Sequence, residues 1–343
     1  MLESERSAEV IHQGPTNFAP VANGLDGARL VVHDLVDRFG DGGRIVVAAK
    51  KDITADQRPA RRSTVGTNMA RFAPRLHVLM ASQAPVGLVI RRGPSKSVAT
   101  ILWDRRRDRF KLGQWLKGRI YERRSDLSPE GKYFIYFAMN GKWHSRGGGS
   151  WTAISRAPYL KALAFFPKGD CWHGGGLWTS RARYWLNDGH GHLVLRNTTT
   201  VRRDETYQPA ANYGGECLGV YYPRLLRDGW ALVERVALGK WKHKDIFEKQ
   251  LAKGWVLRKI AHAELGAPQG KGCYWDEHEL VRPASNSVIA YSAWEWADRD
   301  GERLVWAAGG KLSCARIGKN GLRNETELYD FGRMAFVNVQ APY

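Results

Sequence analysis

Asp126-Leu127-Ser128-Pro129-Glu130-Gly131-Lys132, running into Tyr133-Phe134-Ile135-Tyr136-Phe137, decides the fold class. An Asp or Ser side chain in such a stretch caps backbone N–H groups, Pro fixes φ, and Gly supplies a positive φ before the chain straightens. The apolar run that follows is too short for a helix and rich in aromatics, which makes it a buried strand. Working outward, the same sequence of turn chemistry and short β-branched or aromatic runs recurs. Candidate strands lie at 76–80, 86–91, 98–103, 119–122, 133–138, 151–155, 160–165, 176–178, 182–186, 193–196, 230–236, 255–261, 279–281, 287–294, 303–307, 311–316 and 327–331. About seventeen short strands in roughly 270 residues predict an all-β architecture. Within this part of the chain only residues 244–253 read as helical, with Ile246, Phe247 and Leu251 at helical spacing and Gly254 as a stop.

Charge and aromatics divide the chain in two. It has 343 residues, 53 Lys or Arg against 34 Asp or Glu, and a net charge of +19 with a pI near 9.9. Residues 1–68 hold nine cations and nine anions, no Trp and no Tyr; all 14 Trp lie between Trp103 and Trp306. The first part is turn-rich, with helical spacing at 28–39 and a short strand pattern at 45–49. Its weak patterning predicts a mostly disordered or loosely attached extension over residues 1–73. A natural start at Met69 is the sharper version of that expectation. Four widely spaced cysteines, Cys171, Cys217, Cys273 and Cys314, with no CxxC pair, speak against a disulfide scaffold or zinc ribbon. No apolar run approaches a membrane span and no signal peptide opens the chain, so a cytoplasmic location is expected.

With so few helices, a parallel sheet could not be covered on both faces, which leaves a propeller, a large barrel or two small β domains. The 126–132 turn resembles the blade-entry turn of WD40-like and TolB-like propellers. Phe166-Pro167-Lys168-Gly169-Asp170 is a weaker echo, and Trp103-Asp104 resembles the dipeptide that closes such blades. Blades of about 45 residues give about six over residues 74–343, with five or seven compatible. Together with stretches 91–96, 113–129, 151–156, 167–176 and the terminal Ala341-Pro342-Tyr343, these segments resemble an uncharacterised family of bacterial hypothetical proteins with propeller-like repeats. The resemblance brings no activity, cofactor or catalytic residue with it.

Candidate chemistry is concentrated in four places. Between Arg91 and Lys132 there are 13 cations and five anions interleaved with Trp103, Phe110, Trp115 and Tyr121. Cations beside exposed rings suit single-stranded nucleic acid; the same rings also suit a core between blades. This assigns Arg91, Arg92, Ser95, Lys96, Trp115, Lys117, Arg119, Arg123 and Arg124 to ligand binding, with Arg91-Arg92-Gly93-Pro94-Ser95-Lys96 as an anion nest or a plain hairpin turn. Asp170, Cys171 and His173, in the Gly-rich loop 169–176, suit a nucleophile and base, or metal ligands completed by His190, His192 or His278. Asp276, Glu277 and Glu279 around His278, with Trp275 or Trp294 as a platform, suit glycoside hydrolysis or a polar connecting loop.

None of these constellations is complete in sequence, so the expectation is a non-enzymatic binding or scaffold module without cofactor or metal. Its basic, aromatic-rich surface would meet an acidic partner, nucleic acid or acidic protein. The alternative is a hydrolase of a carbohydrate or phosphate substrate at the channel mouth.

Overall fold

The computed structural model describes residues 72–343 apart from Ser95, His190, Gly215 and Trp241. Except for Phe72 and Ala73, the expected N-terminal extension lies outside the described residues, as do the patterns at 28–39 and 45–49 and the Met69 start. The described residues belong to a main unit, within Ile53–Ala267 and Cys273–Tyr343, and to the short segment Pro268–Gly272. In the latter, Lys271 N donates to Pro268 O at 3.0 Å to close a turn.

The main unit is all-β. Among the described residues, five sheets follow one another along the chain. The first runs β1 (Arg75–Met80), β2 (Val86–Arg92), β3 (Ser97–Asp104) and β4 (Arg109–Lys117). The second runs β5 (Arg119–Leu127), β6 (Tyr133–Met139), β7 (Ser150–Arg156) and β8 (Ala162–Pro167). A smaller third sheet holds β9 (Gly176–Trp178), β10 (Arg183–Leu186) and β11 (Arg202–Arg203), the last pair parallel. The fourth contains β12 (Ala231–Gly239), β13 (Lys242–Gln250), β14 (Val256–Glu264), β15 (Tyr274–Arg282) and β16 (Ser287–Ala290). The fifth contains β17 (Trp296–Asp300), β18 (Arg303–Ala308), β19 (Lys311–Gly318) and β20 (Gly321–Asp330). Apart from the third sheet, each is an antiparallel meander with strands in chain order.

The turn at 126–132 works as its residues dictate. Ser128 Oγ accepts from Lys132 N (3.1 Å) and Tyr133 N (2.9 Å), and Gly131 takes φ +73°. The strand that follows is wholly buried through Ala138.

One expectation needs correction. Residues 244–253 are not a helix: β13 pairs along its length with both β12 and β14, burying Asp245 and Phe247 on one face. Ladder bonds on both edges outweigh a short apolar spacing. The α-helix among the described residues is instead α1 (Leu218–Arg227), whose buried Leu218, Tyr221, Tyr222 and Leu225 follow helical spacing, with Pro223 inside. Among the described residues, no helix is long and apolar enough to cross a membrane.

Packing links the sheets. The first meets the second through β5 against β1, β2 and β3; β9 packs on β5 and β6; α1 touches β5, β9 and β12; β15 meets β17. The fifth sheet returns to the first through β17 and β18 against β1, and Glu295 Oε2 accepts Leu76 N at 2.9 Å across that junction. The tightest approach is at Gly175, with φ +76°, where a Cβ would stand 1.8 Å from the carbonyl oxygen of Arg124. Gly175→Ala should therefore lower stability by about 2 kcal/mol or more. Gly141→Ala, also at positive φ but in open space, should cost about 1 kcal/mol. Urea denaturation of both variants checks the difference.

Candidate functional site

The site is built on an irregularity in β5. Tyr121 pairs with Phe137 and Asp126 with Ile135, so five steps along β5 oppose two along β6. The surplus forms a wide bulge, Glu122 to Ser125, and bulges redirect side chains that a regular strand would alternate. Arg123 points to the fourth sheet and pairs through Nη2 with Asp276 Oδ1 at 2.8 Å. Arg124 turns to the loop before β9, donating from Nη1 to the carbonyls of Cys171 (2.7 Å) and His173, and from Nε to Cys217 Sγ (3.3 Å). Arg224 of α1 closes the bulge from behind, donating to the carbonyls of Glu122 (3.0 Å) and Ser125. Asp126, where pairing resumes, accepts Trp178 N at 2.8 Å and is gripped by Arg227 through both oxygens, at 2.6 and 2.9 Å.

Behind Arg123 lies a buried polar chain. Asp276 also accepts the Tyr221 hydroxyl (2.5 Å) and faces Lys259 Nζ at 3.6 Å. Burial would raise its carboxyl, but Arg123 and Lys259 outweigh that and hold it well below the usual carboxylate range. Lys259 Nζ lies 3.0 Å from His278 Nε2, and His278 Nδ1 lies 3.2 Å from the carbonyl of Trp294. A neutral imidazole with its proton on Nδ1 satisfies both contacts. Burial, reinforced by Lys259, pushes His278 down to about 3.

In front of the bulge is a cluster of arginines. Arg75 and Arg92 are direct cross-strand partners on β1 and β2, a like-charge pairing that destabilises a sheet unless something neutralises it. Glu122 does so in part: its Oε2 lies 3.6 Å from Arg92 Nη1, too long for a hydrogen bond, and both side chains keep 22% of their exposure. Burial pushes the Glu122 carboxyl up, yet Arg92 and Arg119 bring it to about 2. Arg92 Nη1, Arg119 Nε and Arg123 Nη1 are buried N–H groups without a hydrogen-bond partner among the described residues, and Glu122 Oε2, which faces Arg92 Nη1, is the one buried acceptor beside them in the same condition. Buried donors of this kind call for an acceptor. The cluster is suited to receive an anionic group.

The residues singled out for ligand binding are thus split. Arg91, Arg123 and Arg124 are interior, and their assignment to an exposed basic surface is corrected: Arg91 donates to the carbonyl of Phe331 (2.9 Å) and to that of Gly93, stacking 5.3 Å from Trp115. The physical reason is that a guanidinium carries donors enough to satisfy carbonyls that no strand reaches. Arg92 and Arg119 meet at Glu122, Lys96 and Lys117 are exposed, Trp115 is half-buried, and Ser95 lies outside the described residues.

The catalytic candidates diverge. Asp276 faces inward; Glu277 and Glu279 go elsewhere, to His262 Nε2 at 3.3 Å and Arg258 Nη1 at 3.4 Å. Asp170 pairs with Lys168 (3.0 Å) and accepts Trp172 N (2.9 Å), while burial pushes the Cys171 thiol up, away from a nucleophilic thiolate. His173 sits at φ 55° in the same loop. His192 lies between Asp188 (2.7 Å) and Thr152 (3.1 Å), and His190 is outside the described residues. Among the described residues, no three His, Cys, Asp or Glu side chains are grouped to hold a metal. Sequence reading missed Lys259, Arg224 and Glu122, whose only signal was charge beside apolar residues, and Tyr221, which carried none.

No protein-family model and no curated protein matches the chain. Two solved structures are similar in part: the uncharacterized protein lmo1340 of Listeria monocytogenes EGD-e, at 8% identity over 80% of this chain and 100% of that one, and Saccharomyces cerevisiae Sqt1, at 10% identity over 80% and 91%. Both give a TM-score of 0.28, and neither likeness bears on the chemistry of this chain.

Removing the Asp276 charge leaves Arg123 and Lys259 buried without their counter-ion. Asp276→Asn should therefore cost about 3–5 kcal/mol in urea denaturation. Breaking the exposed Lys311–Glu327 pair should leave the midpoint within error. A second expectation concerns pH. Folding lowers the pKa of His278 from 6.5 to about 3, so the folded chain binds fewer protons than the unfolded chain between those values. Its stabilisation is complete above pH 6.5 and is lost as pH falls toward 3, with a slope of about 1.4 kcal/mol per pH unit. His278→Gln should flatten that slope between pH 6.5 and 4; an unchanged slope would refute the assignment.

Proposed function

We propose that this protein is a propeller-like binding module that receives an anionic group of an acidic partner at the Arg92–Arg119 cluster. Support for the propeller-like arrangement comes from the meander order of successive sheets and from the return of the fifth sheet to the first. In that reading β1, β5, β9 and β17 lie toward the centre, and α1 packs on β5, β9 and β12. The observation that carries the binding role is the pair Arg92 and Arg119, which share Glu122 and whose Nη1 and Nε are buried N–H groups without a hydrogen-bond partner among the described residues. The two-carboxylate requirement of a glycoside hydrolase finds no support in Asp276, Glu277 and Glu279, which contact separate partners.

Among acidic partners, nucleic acid is favoured. Guanidinium forks match phosphate geometry, and Arg106, Arg107, Arg109 and Lys111 are exposed around the β3–β4 turn. Fluorescence anisotropy with a labelled oligothymidine tests this. Affinity should fall at least about tenfold between roughly 50 and 500 mM salt, and Arg119→Ala should weaken it severalfold at low salt. A salt-independent affinity, or no effect of Arg119→Ala, would overturn the reading. Tighter binding to polyglutamate than to the oligonucleotide would assign the site to an acidic protein instead.

A further inference from the structure

A second feature shares no residue with the arginine cluster. Between the edge strand β4, the second sheet and the C-terminal stretch 338–341 lies an open cavity of about 580 Å³, with the half-buried rings of Trp115 and Phe165 at its surface and the buried Tyr136 and Trp151 beneath them. That volume falls within the range of small-ligand sites. Its shape is held by Gln114, whose Oε1 accepts Leu160 N (2.8 Å) and Lys161 N (3.0 Å) while Nε2 donates to the carbonyl of Val339 (2.8 Å). The last residue anchors the same wall: the Tyr343 hydroxyl donates to the carbonyl of Lys161 (2.7 Å) and accepts Arg156 N (3.0 Å). Arg156 and Lys161 stack on its ring at 5.0 and 5.4 Å. The site is therefore preformed from three directions.

Its chemistry is selective. No acidic side chain lines it, and Lys161 stands exposed at its edge. A cationic ligand would find no counter-charge, and a neutral sugar or hydrocarbon would leave Lys161 unused. Aromatic walls favour a flat π-face, and the amides of Asn338 and Gln340 offer paired donors and acceptors for a ring edge.

We propose that this cavity binds a planar nitrogen heterocycle carrying an anionic substituent, of the nucleoside monophosphate class. The heterocycle would stack within the aromatic walls with its anionic group toward Lys161. Isothermal titration of the full chain with adenosine 5′-monophosphate, ribose 5-phosphate and inorganic phosphate tests it. The nucleotide should bind saturably and at least about tenfold more tightly than ribose 5-phosphate. Ala162→Phe, which fills the cavity, and Lys161→Ala, which removes an exposed charge without touching the core, should each weaken it about fivefold or more. Arg119→Ala should leave it unchanged. Equal affinity for nucleotide and sugar phosphate, or a loss on Arg119→Ala with none on Lys161→Ala, would overturn the proposal and assign any phosphate binding to the arginine cluster.

Discussion

The bulge in β5 places two successive arginines in the interior, and the connections between the second, third and fourth sheets and α1 run through it. On a regular strand, Arg123 and Arg124 would point to opposite faces. Here Arg123 reaches Asp276 of β15, and Arg124 reaches the loop that leads into β9. Taking a charge out of water costs several kcal/mol, so such an arrangement persists only where every ion finds partners of good geometry. Asp276 meets that condition with Arg123, Lys259 and the Tyr221 hydroxyl. Arg124 meets it differently, with carbonyls and a thiol, and the close approach of Gly175 to its own carbonyl lets the loop lie flat against the bulge.

The helix owes its position to the same constraint. Four apolar or aromatic residues of α1 face the core, while Arg224 and Arg227 in its last turn reach back to the bulge. Cations near a helix C-terminus complement the exposed carbonyl end, and these two also satisfy the carbonyls of Glu122 and Ser125 and the carboxylate of Asp126. The bulge carbonyls, which β6 cannot reach, thus receive donors from the helix. Helix and bulge each supply what the other lacks.

That mutual dependence marks the boundary of what the amino-acid pattern discloses. The turn at Ser128 and Gly131 and the buried run after it were legible because their chemistry is local: a hydroxyl, a ring and a positive φ act within five residues. Residues 244–253 were misread because the apolar spacing of Ile246, Phe247 and Leu251 is compatible with a helix until β12 and β14 claim both edges of the chain. The periodicity of α1 was present in Leu218, Tyr221, Tyr222 and Leu225 but hidden by Pro223, ordinarily a helix breaker. Of the site, Arg92 and Arg119 stand in the basic stretch that the sequence marks out, whereas nothing local distinguishes Arg123 and Arg124 from exposed cations. Their burial depends on where pairing with β6 resumes, and only the partner strand sets that register.

The burial of arginines changes the meaning of the net charge. Arg91, Arg124 and Arg224 donate to backbone carbonyls: Phe331 and Gly93 for the first, Cys171 and His173 for the second, Glu122 and Ser125 for the third. Arg124 also has the Glu216 carboxylate 3.7 Å from its Nη2, whereas Arg91 and Arg224 rely chiefly on carbonyls. Part of the +19 excess is accordingly internal scaffolding, fixed in place and screened less by salt than surface charge would be. The rest is carried by cations that remain at the surface, among them Arg106, Arg107, Arg109 and Lys111 around the β3–β4 turn. The interior arginines hold the strands that present them.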